Sequence, residues 1–268
     1  MARLRALLID LSGTLHVGDT PTRDAADAIR RLRTAGIALR FVSNTSKESR
    51  RSLLGKLARM NLDVREEELF TSLSAAAQLV KSRNLRPLYL LSPSAVEDFP
   101  PPSPPFDSVV VGLAPQSFEY TKLNEAFRLL AGEESGHQKG TVPLIVTHKA
   151  RYFGDTDGKN SLGPGPFITA LEEAAGCTAA IVGKPEPAFF RLALDSLSSL
   201  GLKPAEIGMI GDDVHQDVGS AVATLGLQRY LVRTGKYRSG DEDQCAAGRP
   251  DWMGNDFSSA VDDILQAV

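Results

Sequence analysis

Cysteine is nearly missing: Cys177 and Cys245 are the only two, too few for a disulfide framework. A thiol-reducing, cytoplasmic setting is therefore expected. Charge of one sign is also lacking, since 30 Lys and Arg face 33 Asp and Glu for a net charge of -3. That balance removes the usual reason to expect nucleic acid or an acidic membrane as a partner. No apolar run approaches the roughly 18 residues of a membrane helix. The apolar Ala6-Leu7-Leu8-Ile9 is cut off at once by Asp10, so no signal peptide is expected. Several site signatures are missing as well. The first turn has no G-x-G-x-x-G, and Gly163-Pro164-Gly165 lacks both the third glycine and a preceding strand, which argues against a dinucleotide-binding enzyme. No Walker loop precedes Gly183-Lys184 or Gly235-Lys236, because Thr178 and Tyr230 stand where its first glycine belongs. H-E-x-x-H and paired C-x-x-C are absent too.

What remains is an ordinary globular composition, 42% hydrophobic and 24% charged. At about 150 residues per domain, 268 residues allow one to two domains. Strand-then-helix units recur along the chain. Leu7-Leu8-Ile9, within residues 5–10, is the continuous apolar run of a strand buried on both faces. Thr20 and Pro21 suit a helix cap and first position, with Ala25, Ile29 and Leu32 at helical spacing and a stop at Gly36. A strand over residues 37–43 runs into Thr45-Ser46-Lys47-Glu48, a capping-box pattern before Leu53, Leu54, Leu57 and Met60. The same grammar returns with strands over 179–182, 207–210 and 227–232. A helix opens at Pro187, Val214, Val218 and Val222 form a helical stripe, and a last helix covers 260–265.

Between these halves the proline-rich stretch 99–106 can be neither helix nor central strand. Short strands flank it at 88–91, 109–111 and 144–146. The expected architecture is α/β, a doubly wound, parallel-sheet, Rossmann-like core formed by residues 1–85 and 179–268. An α/β cap domain over 86–178 is inserted into it.

Ligands of open α/β sheets sit at the carboxyl ends of the strands. Those ends carry Asp10-Leu11-Ser12-Gly13-Thr14, Ser43-Asn44-Thr45, Gly183-Lys184-Pro185 and Gly211-Asp212-Asp213, with Asp217 four residues on. Singly, such residues are commonly caps, turn formers or solvated charges. Together they form one chemistry. Asp10 can act as a nucleophile toward phosphorus, and Asp212 can join it in holding a hard cation such as Mg²⁺. Ser43, the amides of Asn44 and Thr45, and the Lys184 ammonium would bind phosphate oxygens. Positioning and charge stabilisation are what phosphoryl transfer chiefly needs.

This set resembles the haloacid dehalogenase-like hydrolase superfamily of phosphatases. Asp10-Leu11-Ser12-Gly13-Thr14 matches that family's D-x-D-G-T except at the third place. Ser43, Lys184 and Gly211-Asp212 through Asp217 match its remaining motifs, and the insertion falls where large-cap members carry theirs. The resemblance implies an aspartyl-phosphate on Asp10, with Mg²⁺ held by Asp10, Asp212 and the backbone carbonyl of Ser12. Asp213 and Asp217 would support those ligands from behind. Leu11, Ser12, Ser43, Asn44 and Lys184 would hold the phosphoryl group. The insert would close as a lid that reads a small phosphorylated substrate or phospho-amino acid, with His148, Lys149 and Arg151 lending positive charge. It would also serve as a dimer contact. His16 follows the first motif closely but reads as a surface histidine.

Ser12 is the departure. An Asp there would be general acid and base, and a serine hydroxyl can be neither at neutral pH. Alkyl phosphate esters should therefore be poor substrates, and pyrophosphate or P–N bonds better ones. The alternative is a weak or inactive phosphate-binding protein acting through a partner.

Overall fold

The computed structural model describes residues 2–134, 136, 138–154 and 159–267. The chain begins with β1 (Ala6–Ile9), the short β2 (His16–Val17) and β3 (Thr20–Pro21), then α1 (Ala25–Thr34), β4 (Ala38–Ser43) and α2 (Arg50–Arg59). Next come β5 (Leu69–Thr71), α3 (Ser72–Ser82), β6 (Pro87–Leu90), α4 (Pro93–Val96), β7 (Ser108–Val111), α5 (Tyr120–Ala131) and β8 (Leu144–Val146). A hairpin of β9 (Tyr152–Gly154) and β10 (Asn160–Leu162) leads into α6 (Gly165–Ala175) and β11 (Ala180–Ile181). The chain ends with α7 (Pro187–Asp195), β12 (Ile207–Gly211), α8 (Ser220–Thr224), β13 (Gln228–Val232), β14 (Trp252–Gly254) and α9 (Phe257–Gln266). No helix among the described residues is long and apolar enough to cross a membrane.

The chain divides into two compact units. One comprises Met1–Ser43, Leu54–Phe70 and Lys184–Val268, and the other Asn44–Leu53 and Thr71–Gly183. The second unit thus takes in more on both sides than the expected insert of 86–178.

The first unit is built on a six-stranded sheet in the order β14-β13-β12-β1-β4-β5. β1 lies between β4 and β12 and runs parallel to both, with Leu8 opposite Arg40 on one side and Met209 on the other. Leu7, Leu8 and Ile9 are fully buried, as a strand covered on both faces requires. α1 buries Ala25, Ala28, Ile29 and Leu32 and sends Arg30 outward. It does not start at Thr20. Thr20 and Pro21 instead pair antiparallel with Val17 and His16, an edge position that proline tolerates. Thr22 fastens this small flap by donating from its hydroxyl to the carbonyls of Thr14 and Leu15 at 2.9 and 3.1 Å.

Two further local expectations fail for one reason, a polar side chain bonding to nearby backbone. The helix expected after Thr45 starts at Arg50, where Ser49 accepts from the Ser52 N–H at 3.3 Å. The Val214–Val218–Val222 stripe is buried, yet only residues 220–224 are helical. Asp213 holds the preceding segment as a turn by accepting from the N–H groups of His215 and Gln216, both at 3.0 Å.

The second unit contains a four-stranded parallel sheet, β11-β8-β7-β6. Alternation along β7 divides its two cores. Val109 and Val111 pack with Ala126, Leu129 and Leu130 of α5 and Ile168 and Leu171 of α6. Val110 packs with Leu73, Ala76 and Val80 of α3. The strand expected over 179–182 as part of the core belongs here, with Ala180 opposite Ile145. Its apolar run favours no face, and Glu172 of α6 accepts from the N–H of Ala179, the residue before it, at 2.9 Å.

Candidate active site

Counted outward from β5, the first unit's strands follow the order in which a doubly wound sheet reverses direction between its first and fourth members. Here those members are β1 and β12, and the crevice at their carboxyl ends receives Asp10 and Asp212. The reversal point therefore puts two carboxylates side by side before any local detail is considered.

Asp10 is buried and held from both sides. Thr14 donates from its hydroxyl to Asp10 Oδ2 at 3.1 Å, and Lys184 Nζ donates to Asp10 Oδ1 at 2.5 Å. The same ammonium bonds Asp217 Oδ1 at 2.6 Å and the Val42 carbonyl at 3.1 Å. Asp217 Oδ2 accepts from the Asp213 N–H at 3.1 Å, and Asp212 Oδ2 accepts from the Lys236 N–H at 2.6 Å. Lys236 Nζ lies 3.4 Å from Asp213 Oδ2. One oxygen from each of Asp10, Asp212 and Asp217 falls within a group no more than 4.8 Å across.

Glycines make that approach feasible. A Cβ on Gly13 or on Gly235 would stand 2.1 Å from Asp212 Oδ2, and both residues have positive φ, 98° and 53°. Thr234 ties the two loops together by donating from its hydroxyl to the Gly13 carbonyl at 2.5 Å.

Burial and mutual repulsion set the charges. Burial, reinforced by Asp10 and Asp217, pushes Asp212 well above the ordinary carboxylate range. Burial likewise raises Asp217, to about 7, against the pull of Lys184. Burial would lower Lys184, but Asp10 and Asp217 outweigh it and hold the ammonium charged. Asp213 shows the opposite balance: burial raises it, and Lys236 with the two turn N–H groups brings it below its usual value.

This is a buried carboxylate cluster short of positive charge. Oxygen donors alone, closely grouped, fit a hard divalent cation.

Of the residues expected at the site, Asp10, Lys184, Asp212 and Asp217 come together here. Ser43 ends β4, buried in the same unit. Asp213 turns its carboxylate to Lys236 while its N–H bonds Asp217 of the central group. Leu11 is fully buried, and its carbonyl is taken up by the N–H of Leu15 at 2.8 Å. Ser12 is exposed and bridges His16. Asn44 and Arg151 belong to the other unit, Arg151 exposed there. One reading needs correction. His16 is buried, not on the surface, with its Nδ1 2.9 Å from the Gly18 carbonyl. In the other unit His148 is buried, and Lys149 pairs with Glu172 at 2.6 Å.

Sequence reasoning missed Thr14, Thr234, Gly235 and Lys236 as site residues. A signal was present for the last three, since they follow β13 as Lys184 follows β11 and Asp212 follows β12.

The chain is similar in sequence and fold to known proteins. A family model described as haloacid dehalogenase-like hydrolase matches residues 7–99, and one described as HAD-hydrolase-like matches 181–260. The chain is 46% identical over 266 residues to haloacid dehalogenase-like hydrolase domain-containing protein 2 of Homo sapiens, covering 98% of this chain and 96% of that one. It is 36% identical over 272 residues to phospholysine phosphohistidine inorganic pyrophosphate phosphatase of Homo sapiens, covering 99% and 96%. Among solved structures, p-nitrophenyl phosphatase from Archaeoglobus fulgidus aligns with a TM-score of 0.83 at 26% identity, over 98% of this chain and 100% of that one.

Proposed function

The chain belongs to the haloacid dehalogenase-like hydrolase family and is a phosphohydrolase, and we propose that it hydrolyses small phosphorylated substrates through an aspartyl-phosphate on Asp10, with Mg²⁺ as cofactor. The observation that carries this reading is the Asp10–Lys184–Asp217 chain, buried beside Asp212. Thr14 and Lys184 fix the Asp10 carboxylate in one orientation, so little rearrangement precedes attack on phosphorus. Lys184 also places a permanent positive charge where a phosphoryl group would gather negative charge. Water then cleaves the acyl phosphate, releasing orthophosphate and restoring the carboxylate.

Asp10, Asp212 and the Ser12 backbone carbonyl would hold Mg²⁺. When bound, the cation supplies the countercharge that lets a phosphate dianion enter a cluster of carboxylates. Ser43 and the Asn44 N–H complete the phosphate-binding set in this reading, and Asp213 and Asp217 hold the loop that carries Asp212.

Substrate class follows from Ser12. A hydroxyl cannot protonate an alkoxide leaving group, so the chain is suited to substrates that do not need that acid: pyrophosphate, from which phosphate leaves as a stable anion, and a phospho-amino acid, whose P–N nitrogen takes a proton from solvent and leaves as the amine. The name of the 36% identical relative, a phospholysine phosphohistidine inorganic pyrophosphate phosphatase, agrees with that class.

The test is orthophosphate release, with and without Mg²⁺, from pyrophosphate, phosphohistidine, phospholysine and an alkyl phosphate, with Asp10→Asn alongside. Release that needs Mg²⁺ and Asp10 is the expected result. Release indifferent to Asp10 removes the aspartyl-phosphate, and no release from any of the four favours a phosphate-binding role.

A further inference from the structure

Lys236 enters none of the family motifs that single out Asp10, Ser43, Lys184 and Asp212, yet it touches two of the site's four aspartates. Its backbone N–H donates to Asp212 Oδ2 at 2.6 Å, and its ammonium lies 3.4 Å from Asp213 Oδ2. The preceding residue must be glycine, because a Cβ on Gly235 would meet Asp212 Oδ2 at 2.1 Å and Gly13 Cα at 2.4 Å. Thr234 locks the same loop to the Gly13 carbonyl. Residues 234–236 are thus anchored to the Asp10 loop and to Asp212 at once, and the Lys236 side chain cannot drift far from the cluster.

The charges divide unevenly. Lys184 is shared between Asp10 and Asp217, deep in the unit. Lys236 reaches the cluster from its more open side, with its own side chain still 36% exposed. Whatever protons the four carboxylates hold, removing the Lys236 ammonium makes the cluster one unit more negative. The cation would then be held more tightly, and a phosphate dianion would meet more repulsion.

We infer that Lys236 is a positioning residue that sets the balance between divalent-cation and phosphate affinity at this site, its backbone orienting Asp212 and its ammonium offsetting Asp213. This rests on the phosphohydrolase reading above and adds a residue to it. A unit charge several ångströms away in a partly solvated site is worth roughly a 3- to 10-fold change in an ion's affinity.

Isothermal calorimetry on the full chain tests this without turnover, using Mg²⁺ alone and then inorganic phosphate at saturating Mg²⁺. Lys236→Met keeps the stem and removes the charge, and Lys236→Arg restores it. In Lys236→Met, Mg²⁺ should bind roughly 3- to 10-fold more tightly and phosphate more weakly by a similar factor, with Lys236→Arg returning both toward wild type. A merely structural role would weaken both affinities together in Lys236→Met, and that result overturns the inference, as does no change in either. A wild-type chain that binds no Mg²⁺ overturns the inference and the Mg²⁺ reading together. Normal wild-type binding with no opposed shift in Lys236→Met overturns the inference alone.

Discussion

Ser12 is exposed, two residues after Asp10. Restoring a carboxylic acid there restores the proton that an alkoxide leaving group needs. General acid catalysis is typically worth about 10² to 10⁴ in rate, or roughly 3 to 5 kcal/mol of barrier. Ser12→Asp should therefore raise alkyl phosphate hydrolysis by about 10² or more, measured as kcat/KM. Pyrophosphate hydrolysis should change far less, and equal gains on both substrates would show that proton donation is not what Ser12 lacks. Protonation matters to the cluster too. Burial pushes Asp217 up to about 7 in the folded chain, above the ordinary 3.8 of an aspartate. The folded state therefore holds an extra proton between those values, and stability falls as pH rises through that window. A divalent cation held by the neighbouring Asp10 and Asp212 would oppose that proton by its charge. The rise in Tm on adding Mg²⁺ should then be small at pH 5 and larger at pH 8.

At the scale of the element, a few side chains decide where helices and strands begin. Thr71 caps α3 by accepting from the Ser74 N–H at 3.0 Å. Thr71→Ala should cost about 1 kcal/mol in chemical denaturation. Glu68 fixes the entry to β5 through a two-pronged pair with Arg33 at 2.7 and 2.6 Å. Burial alone would raise the Glu68 carboxyl, but Arg33 and the Arg65 N–H bring it below its usual 4.5. That stabilisation is present above the unfolded value and is lost as pH falls through the lower folded one. Glu68→Gln should be less stable than wild type by about 1–3 kcal/mol at pH 7. The gap should close below pH 4.5. A constant gap would mean that the pair contributes shape and not charge.

At the scale of the molecule, the two units carry separate cores, and Asp10, Asp212 and Asp217 all lie in one of them. With the proposed Mg²⁺ held by those carboxylates, its binding should be linked to the folding of that unit. Calorimetry should show a calorimetric enthalpy larger than the van't Hoff value, the sign that the chain does not melt as a single unit. Added Mg²⁺ should shift only one of the two component transitions. A single transition that moves as a whole would show that the units unfold together.

Much of this was legible in the residues. Leu7-Leu8-Ile9 and the buried β12 strand are apolar on both faces, which only a covered parallel sheet accommodates. Each stands directly before a polar loop, so Asp10 and Asp212 could be read as site residues at a distance of 202 positions in the chain. The early helix start at Thr20 and the late one after Thr45 were misread because caps and turns use the same residue types.

The sequence by itself determined the α/β class, the polar residues that follow the strands and the family, because burial on two faces and polar groups after strands leave local patterns. Tertiary structure alone decided the rest. It put the short strand at 180–181 into the second unit's sheet beside β8, because a short apolar run has no preferred partner of its own. It also brought Lys236 to Asp212 and Asp213, because backbone contact between residues 24 apart follows from strand order and loop packing, which no local pattern records.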